Sequence, residues 1–166
     1  PPAAPSTYRY VVLFIHGWHH NAAADDQNVQ AFHSALHAIK SWRPMADVRG
    51  VYIGWRGASL PLPGLRYLTF WDRKNTSDEV GRGGLLEFLL RMEHAAKPGL
   101  NSANRLVLVG HSFGASVVFN SLAHVYMRRF VDGLYSTKAA DRFMGYGDLT
   151  VLINPAIEAM RYMPLH

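Results

Sequence analysis

A serine with glycines two positions to either side, Gly110-His111-Ser112-Phe113-Gly114, has the clearest chemical content in this chain. The pattern Gly-x-Ser-x-Gly carries a nucleophile in one setting, a β-strand running straight into an α-helix, where the sharp turn lifts the hydroxyl clear of the backbone. The glycines are a steric requirement of that turn, because strand and helix approach too closely for flanking side chains and the serine itself is forced into a strained backbone conformation. Ser112 would then stand at a helix N-terminus, whose dipole favours the negative charge that develops when a carbonyl is attacked. A second segment, Phe14-Ile15-His16-Gly17-Trp18, runs an apolar strand into His-Gly.

The elements that must position these residues are legible from periodicity. Arg9 to Ile15 is apolar on both faces after Arg9, as suits a central strand of a parallel sheet covered on both sides. Val29, Phe32, Leu36 and Ile39 have helical spacing, with Asp25 and Asp26 favourable at the N-terminus. Val48 to Ile53 predicts a second strand, and residues 55 to 77 a long loop rich in apolar side chains that would line a pocket or pack on the body. A helix capped by Ser77 or Asp78 is expected to run to Ala95, with Lys97-Pro98-Gly99 stopping it. Arg105 to Val109 predicts the strand before Ser112. Ala115, Val117, Val118, Leu122 and Val125 carry the helix after it toward Arg129. Residues 130–147 are ambiguous and are read as an insertion or lid, and Leu149 to Ile153 predicts a fourth strand. This alternation predicts an α/β fold, a three-layer α/β/α sandwich with a mostly parallel sheet.

The chain has 166 residues, 49% hydrophobic and 17% charged, the composition of one globular domain. No apolar run approaches the ~20 residues that span a bilayer, so a soluble protein is expected. Net charge is +5, without a block of basic residues, and no nucleic-acid partner is expected. There is no cysteine, which excludes disulfides, thiolate metal sites and a cysteine nucleophile. Residues 1–8, opening Pro1-Pro2-Ala3-Ala4-Pro5 without methionine, read as a linker and a processed or engineered start, which leans toward export.

Together, the His16-Gly17-Trp18 loop and the Gly110 to Gly114 turn resemble the α/β-hydrolase superfamily of serine esterases and lipases, over residues 9 to about 158, within one expected domain of residues 9–166. The resemblance implies that the two strands preceding them are strands three and five, and that Leu149 to Ile153 is strand six. It implies Ser112 as the catalytic nucleophile, with the backbone N–H groups of Trp18 and Phe113 as an oxyanion hole. Gly110, Gly114 and Gly17 shape the site, His16 packs or hydrogen-bonds beneath the loop, and His111 points away from the nucleophile as a buried, hydrogen-bonded side chain. Neither histidine is then the general base. The expected activity is hydrolysis of small-molecule or lipid carboxylic esters, with no cofactor.

In the family the catalytic acid and histidine follow the nucleophile in the chain. Where some relatives carry Asp-Pro-Ala after strand six, this chain has Asn154-Pro155-Ala156, and an amide cannot supply the charge that stabilises imidazolium. Glu158 is a further candidate for the acid. His124 lies three turns along the helix from Ser112, roughly 18 Å at 1.5 Å per residue, out of reach, and His166 would sit on an unanchored tail. The expectation is therefore a hydrolase fold incomplete at its C-terminus, with acid and histidine outside this chain. The strand-six edge is expected to be covered by a C-terminal fragment or a second copy. The alternative is a non-catalytic module of the same fold that binds rather than hydrolyses.

Other chemistries fare worse. His19 and His20 with Asp25 and Asp26, or His33 and His37 at i, i+4, do not form a recognisable three-ligand set, so no metal site is expected. Gly81-Arg82-Gly83-Gly84 matches no phosphate-binding loop. An anionic-surface binder using Arg128, Arg129, Lys138 and Arg142 would show steep salt dependence.

Overall fold

The computed structural model describes residues 8–18, 20–55, 84–99, 102–137 and 144–157. Their elements, in chain order, are β1 (Arg9–Ile15), α1 (Gln27–Trp42), β2 (Asp47–Ile53), α2 (Gly84–Ala96), β3 (Arg105–His111), α3 (Phe113–Tyr135) and β4 (Leu149–Ile153). The strands form one sheet in the order β2-β1-β3-β4 with every pair parallel. Register places Leu13 beside Val51 on one side and Leu108 on the other, so β1 is paired along both edges.

Alternation along β1 explains the layering. Val11, Leu13 and Ile15 point to one face, where they pack with Leu106 and Leu108 against Leu89 and Ala96 of α2 and Val117, Val118 and Leu122 of α3. Val12 and Phe14 point to the other, where Phe14 stacks on Tyr52 and meets Phe32, the buried anchor of α1. Gly50 lies under that helix, and a Cβ there would run into Leu36 and the Phe32 ring. Helices thus cover both faces of the sheet.

The expected strands and helices are present, with displaced ends. β3 continues two residues past Val109, through Gly110 and His111, because both still pair with β4. Ser77 and Asp78, the expected caps of α2, the 56–77 part of the long loop and the expected first turns of α2 up to residue 83 lie outside the described residues. α3 runs on to Tyr135 instead of stopping near Arg129. That corrects the insertion reading: 130–135 is the last part of a helix.

Residues 144–148 are not a lid either. They belong to the N-terminal end of β4, opposite the end where Ser112 sits, and are tied down there. Tyr146 is 2% exposed and donates its hydroxyl to the Leu89 carbonyl at 2.8 Å. Glu93 accepts from Gly147 N at 2.8 Å and pairs with Arg129 at 2.6 Å, while Asp148 accepts from Leu106 N at 2.7 Å and Lys97 at 2.8 Å. β4 pairs only with β3 among the described residues, and its Leu149 and Ile153 are 53% and 41% exposed.

The sheet order reverses direction between β1 and β3. From β1 the chain steps outward to β2, then returns to the other side for β3, so the crevice beyond their C-terminal ends is a topological switch point, the usual ligand position in open α/β sheets. Both chemically suggestive segments lie at those two ends.

Candidate active site

Ser112 has φ 53° and ψ −118°, a backbone conformation that a residue with a Cβ adopts only when its surroundings impose it. The constraint comes from three directions. Its N–H donates to the Ile153 carbonyl at 2.8 Å, continuing the β3–β4 ladder to the strand end. Its carbonyl already accepts from Ala115 N at 3.1 Å and Ser116 N at 3.2 Å of α3, and from Ala156 N at 3.2 Å. Between ladder and helix there is no room for a regular turn. A Cβ on Gly110 would sit 2.7 Å from Ala115 Cα, and one on Gly114 would overlap the carbonyl oxygens of Ile15 and His16. Among the described residues no hydrogen bond to Ser112 Oγ is formed, and the residue is half-buried.

The loop after β1 is pressed against this turn. A Cβ on Gly17 would lie 3.0 Å from Ser112 Cβ and 3.0 Å from His111 Nδ1, so a larger residue there would press both neighbours aside by a few tenths of an ångström. The Trp18 ring stands edge-on to Phe113 with centroids 6.1 Å apart, and Phe113, 1% exposed, also meets Trp55. Phe113 is the first residue of α3, so its backbone N–H belongs to the helix N-terminus.

His16 is fully buried and its tautomer follows from its partners. Trp55 N donates to Nε2 at 3.2 Å, so Nε2 carries a lone pair, and Nδ1 carries the proton it donates to the Gly17 carbonyl at 2.9 Å. The Trp55 indole N–H closes the arrangement on the His16 carbonyl at 2.7 Å, with both rings stacked. A trans peptide is planar, so pinning the Gly17 carbonyl toward His16 turns the Trp18 N–H the opposite way. His16 therefore aims that N–H.

Burial pushes the His16 pKa below 6.5, outweighing the hydrogen bond to Gly17. The unfolded chain then binds a proton that the folded protein refuses, so stability is complete above pH 6.5 and declines as pH falls below it. Urea midpoints at about pH 7.5 and about pH 5.5 are expected to differ more for the parent than for His16→Gln. Equal pH slopes for the two proteins would rule out a neutral buried His16.

The remaining sequence candidates are placed as follows. His111 is half-buried with no hydrogen bond among the described residues, which corrects the expected buried, bonded side chain: the ring occupies the space that Gly17 leaves open. His124 is exposed on α3, and His33 and His37 are exposed on α1. Asn154 follows β4 with φ 44°, a left-handed conformation that asparagine tolerates, and is exposed. Arg128 is exposed beside Asp132 at 3.7 Å, whereas Arg129 is bound to Glu93. His19, Lys138, Arg142, Glu158 and His166 lie outside the described residues. Among the described residues no three His, Asp or Glu side chains converge as a metal site, and no helix is long and apolar enough to cross a membrane.

Sequence reasoning missed two contributors. Trp55 was merged into a long loop, although its position directly after β2 puts it beside the end of β1. The sequence offers His20 as a metal ligand and Asp26 as a metal ligand or a favourable charge at the α1 N-terminus, whereas the two pair with each other, Nδ1 to Oδ1 at 3.0 Å. Comparison of the chain with protein-family models, with curated proteins and with solved structures returns no match.

Proposed function

We propose that this protein is a serine hydrolase of the α/β-hydrolase class acting on carboxylic esters or lipids. The observation that carries the reading is the strained Ser112 backbone at the switch point between β1 and β3, since strain of this kind persists where surrounding structure over-determines it and a reactive group must be presented. Supporting it are Gly17 in contact distance of Ser112 and the His16 hydrogen bond that directs the Trp18 N–H.

In this mechanism Ser112 Oγ bonds to the ester carbonyl carbon while its proton passes to a histidine. The carbonyl oxygen takes the electron pair and is stabilised by the N–H groups of Trp18 and Phe113. The C–O bond to the alcohol breaks, the histidine returns the proton to the departing alkoxide, and water releases the acid from the acyl-enzyme. The histidine and its carboxylate partner come from outside the described residues. Loss of one oxyanion donor costs about 10²–10³ in rate.

The test is reaction with a fluorophosphonate probe, comparing the parent with Ser112→Ala, with and without added imidazole as a diffusible base. Labelling confined to Ser112 is the expected result. Labelling without imidazole places the base within this chain or on a second copy, and labelling only with imidazole places it elsewhere. A folded protein that is unreactive under both conditions overturns the hydrolase reading and favours a binding module of the same architecture.

A further inference from the structure

Asp26 does more than cap a helix. Its side chain is 8% exposed, and its two oxygens gather donors from three residues. Asn28 N donates to Oδ1 at 2.8 Å, the ordinary N-cap bond of α1. The other two donors come from the stretch that leaves Trp18: Asn21 N reaches Oδ2 at 3.1 Å, and the His20 ring reaches Oδ1 at 3.0 Å and Oδ2 at 3.2 Å. A carboxylate only accepts, so His20 carries its proton on Nδ1. Asn21 Oδ1 in turn accepts from Ala23 N at 2.7 Å, which winds residues 20–23 onto the start of the helix.

The far side of this anchorage is rigid. α1 is fixed to the sheet by Phe32 and by its contact with Gly50. His20 is two residues beyond Trp18, and two residues span at most about 7 Å. His16 holds the same turn from below, through the Gly17 carbonyl. Desolvation alone would raise the Asp26 pKa, but the donors from Asn21, Asn28 and His20 together hold its carboxyl below the usual range.

We infer that His20 and Asp26 are a positioning pair for the proposed reaction: they tether the Trp18 turn to α1 so that its N–H stays aimed at the oxyanion. The inference rests on the hydrolase reading, which gives that N–H its role.

Three substitutions separate the pair from the fold. Asp26→Asn keeps the cap on Asn28, because Asn and Asp cap helices equally well, but gives up one acceptor oxygen. His20→Ala removes the tether, and His20→Asn restores an N–H close to where Nδ1 was. Turnover of p-nitrophenyl acetate with imidazole present, taken above the Ser112→Ala blank because imidazole itself cleaves this ester, is expected to fall about 10- to 10²-fold in kcat for Asp26→Asn and His20→Ala with KM unchanged, as for a group felt only in the transition state. His20→Asn is expected to recover most of that loss, and the Trp18 amide resonance to move in His20→Ala but not in His20→Asn. Unchanged kcat in His20→Ala overturns the inference. So does a failure of His20→Asn to rescue, which would make His20 a proton carrier instead of a tether. If the parent neither labels nor turns over, the hydrolase reading falls and the catalytic role of the pair falls with it, leaving only its structural part, the tether. The pair is then judged on the Trp18 resonance, where a shift in His20→Ala supports the tether and no shift overturns it.

Discussion

Ser112→Gly is expected to give a protein more stable than Ser112→Ala and devoid of reactivity toward esters and fluorophosphonates. At φ 53° and ψ −118° any Cβ is strained by about 1–3 kcal/mol, and alanine keeps that strain while glycine removes it. Glycine also gives the unfolded chain more freedom, which offsets about 0.5–1 kcal/mol. The net gain is about 1 kcal/mol, readable as a shift in urea midpoint between the two variants. Both lose the proposed nucleophile, and removal of such a group lowers turnover by as much as about 10⁶-fold. Strain and chemistry are thus separated by two substitutions at one position. If glycine is no more stabilising than alanine, the turn is not strained and the observation behind the proposed function is lost.

Gly114→Ala is expected to cost about 3 kcal/mol or more, large for the addition of one methyl group. The added Cβ would overlap the carbonyl oxygens of Ile15 and His16 and lie 2.8 Å from the Ile15 carbonyl carbon. These are backbone atoms at the end of a strand paired on both sides, so no side-chain rotation relieves the contact. Either α3 moves away from β1 or the strand end shifts, and each separates Phe113 from the Trp18 turn. Denaturant midpoints and the labelling rate of Ser112 are expected to fall together. A Gly114→Ala variant within about 1 kcal/mol of the parent would show that helix and strand have slack at this point.

How much of this was readable in the residues depends on which force did the arranging. β1 and β3 were legible because a strand covered on both faces must be apolar throughout, and the turn around Ser112 because close approach admits only glycine at Gly110 and Gly114. The far end of α3 was not: Phe130, Val131 and Leu134 are about half exposed, so the apolar side chains there mark no single inward face. The His20–Asp26 pair and the His16–Trp55 bonds were invisible for another reason. They join isolated positions at the ends of elements through one or two hydrogen bonds each, with no repeat for a periodicity argument to find. The likeness of Asn154-Pro155-Ala156 to a catalytic-acid loop directed attention to side-chain charge there, whereas that segment's visible contribution is a backbone one, Ala156 N holding the Ser112 carbonyl.

The double pairing of β1 has a consequence for how the protein fails. A catalytic loop carried on a surface excursion can melt while the body stays native, and heat then silences the enzyme before it unfolds. Here Trp18 and Ser112 extend from the two neighbouring inner strands of the sheet, and inner strands are ordinarily the last to open. Loss of probe labelling at Ser112 and global unfolding should therefore share one temperature, and the slowest-exchanging amides among the described residues should lie within a few residues of Ser112.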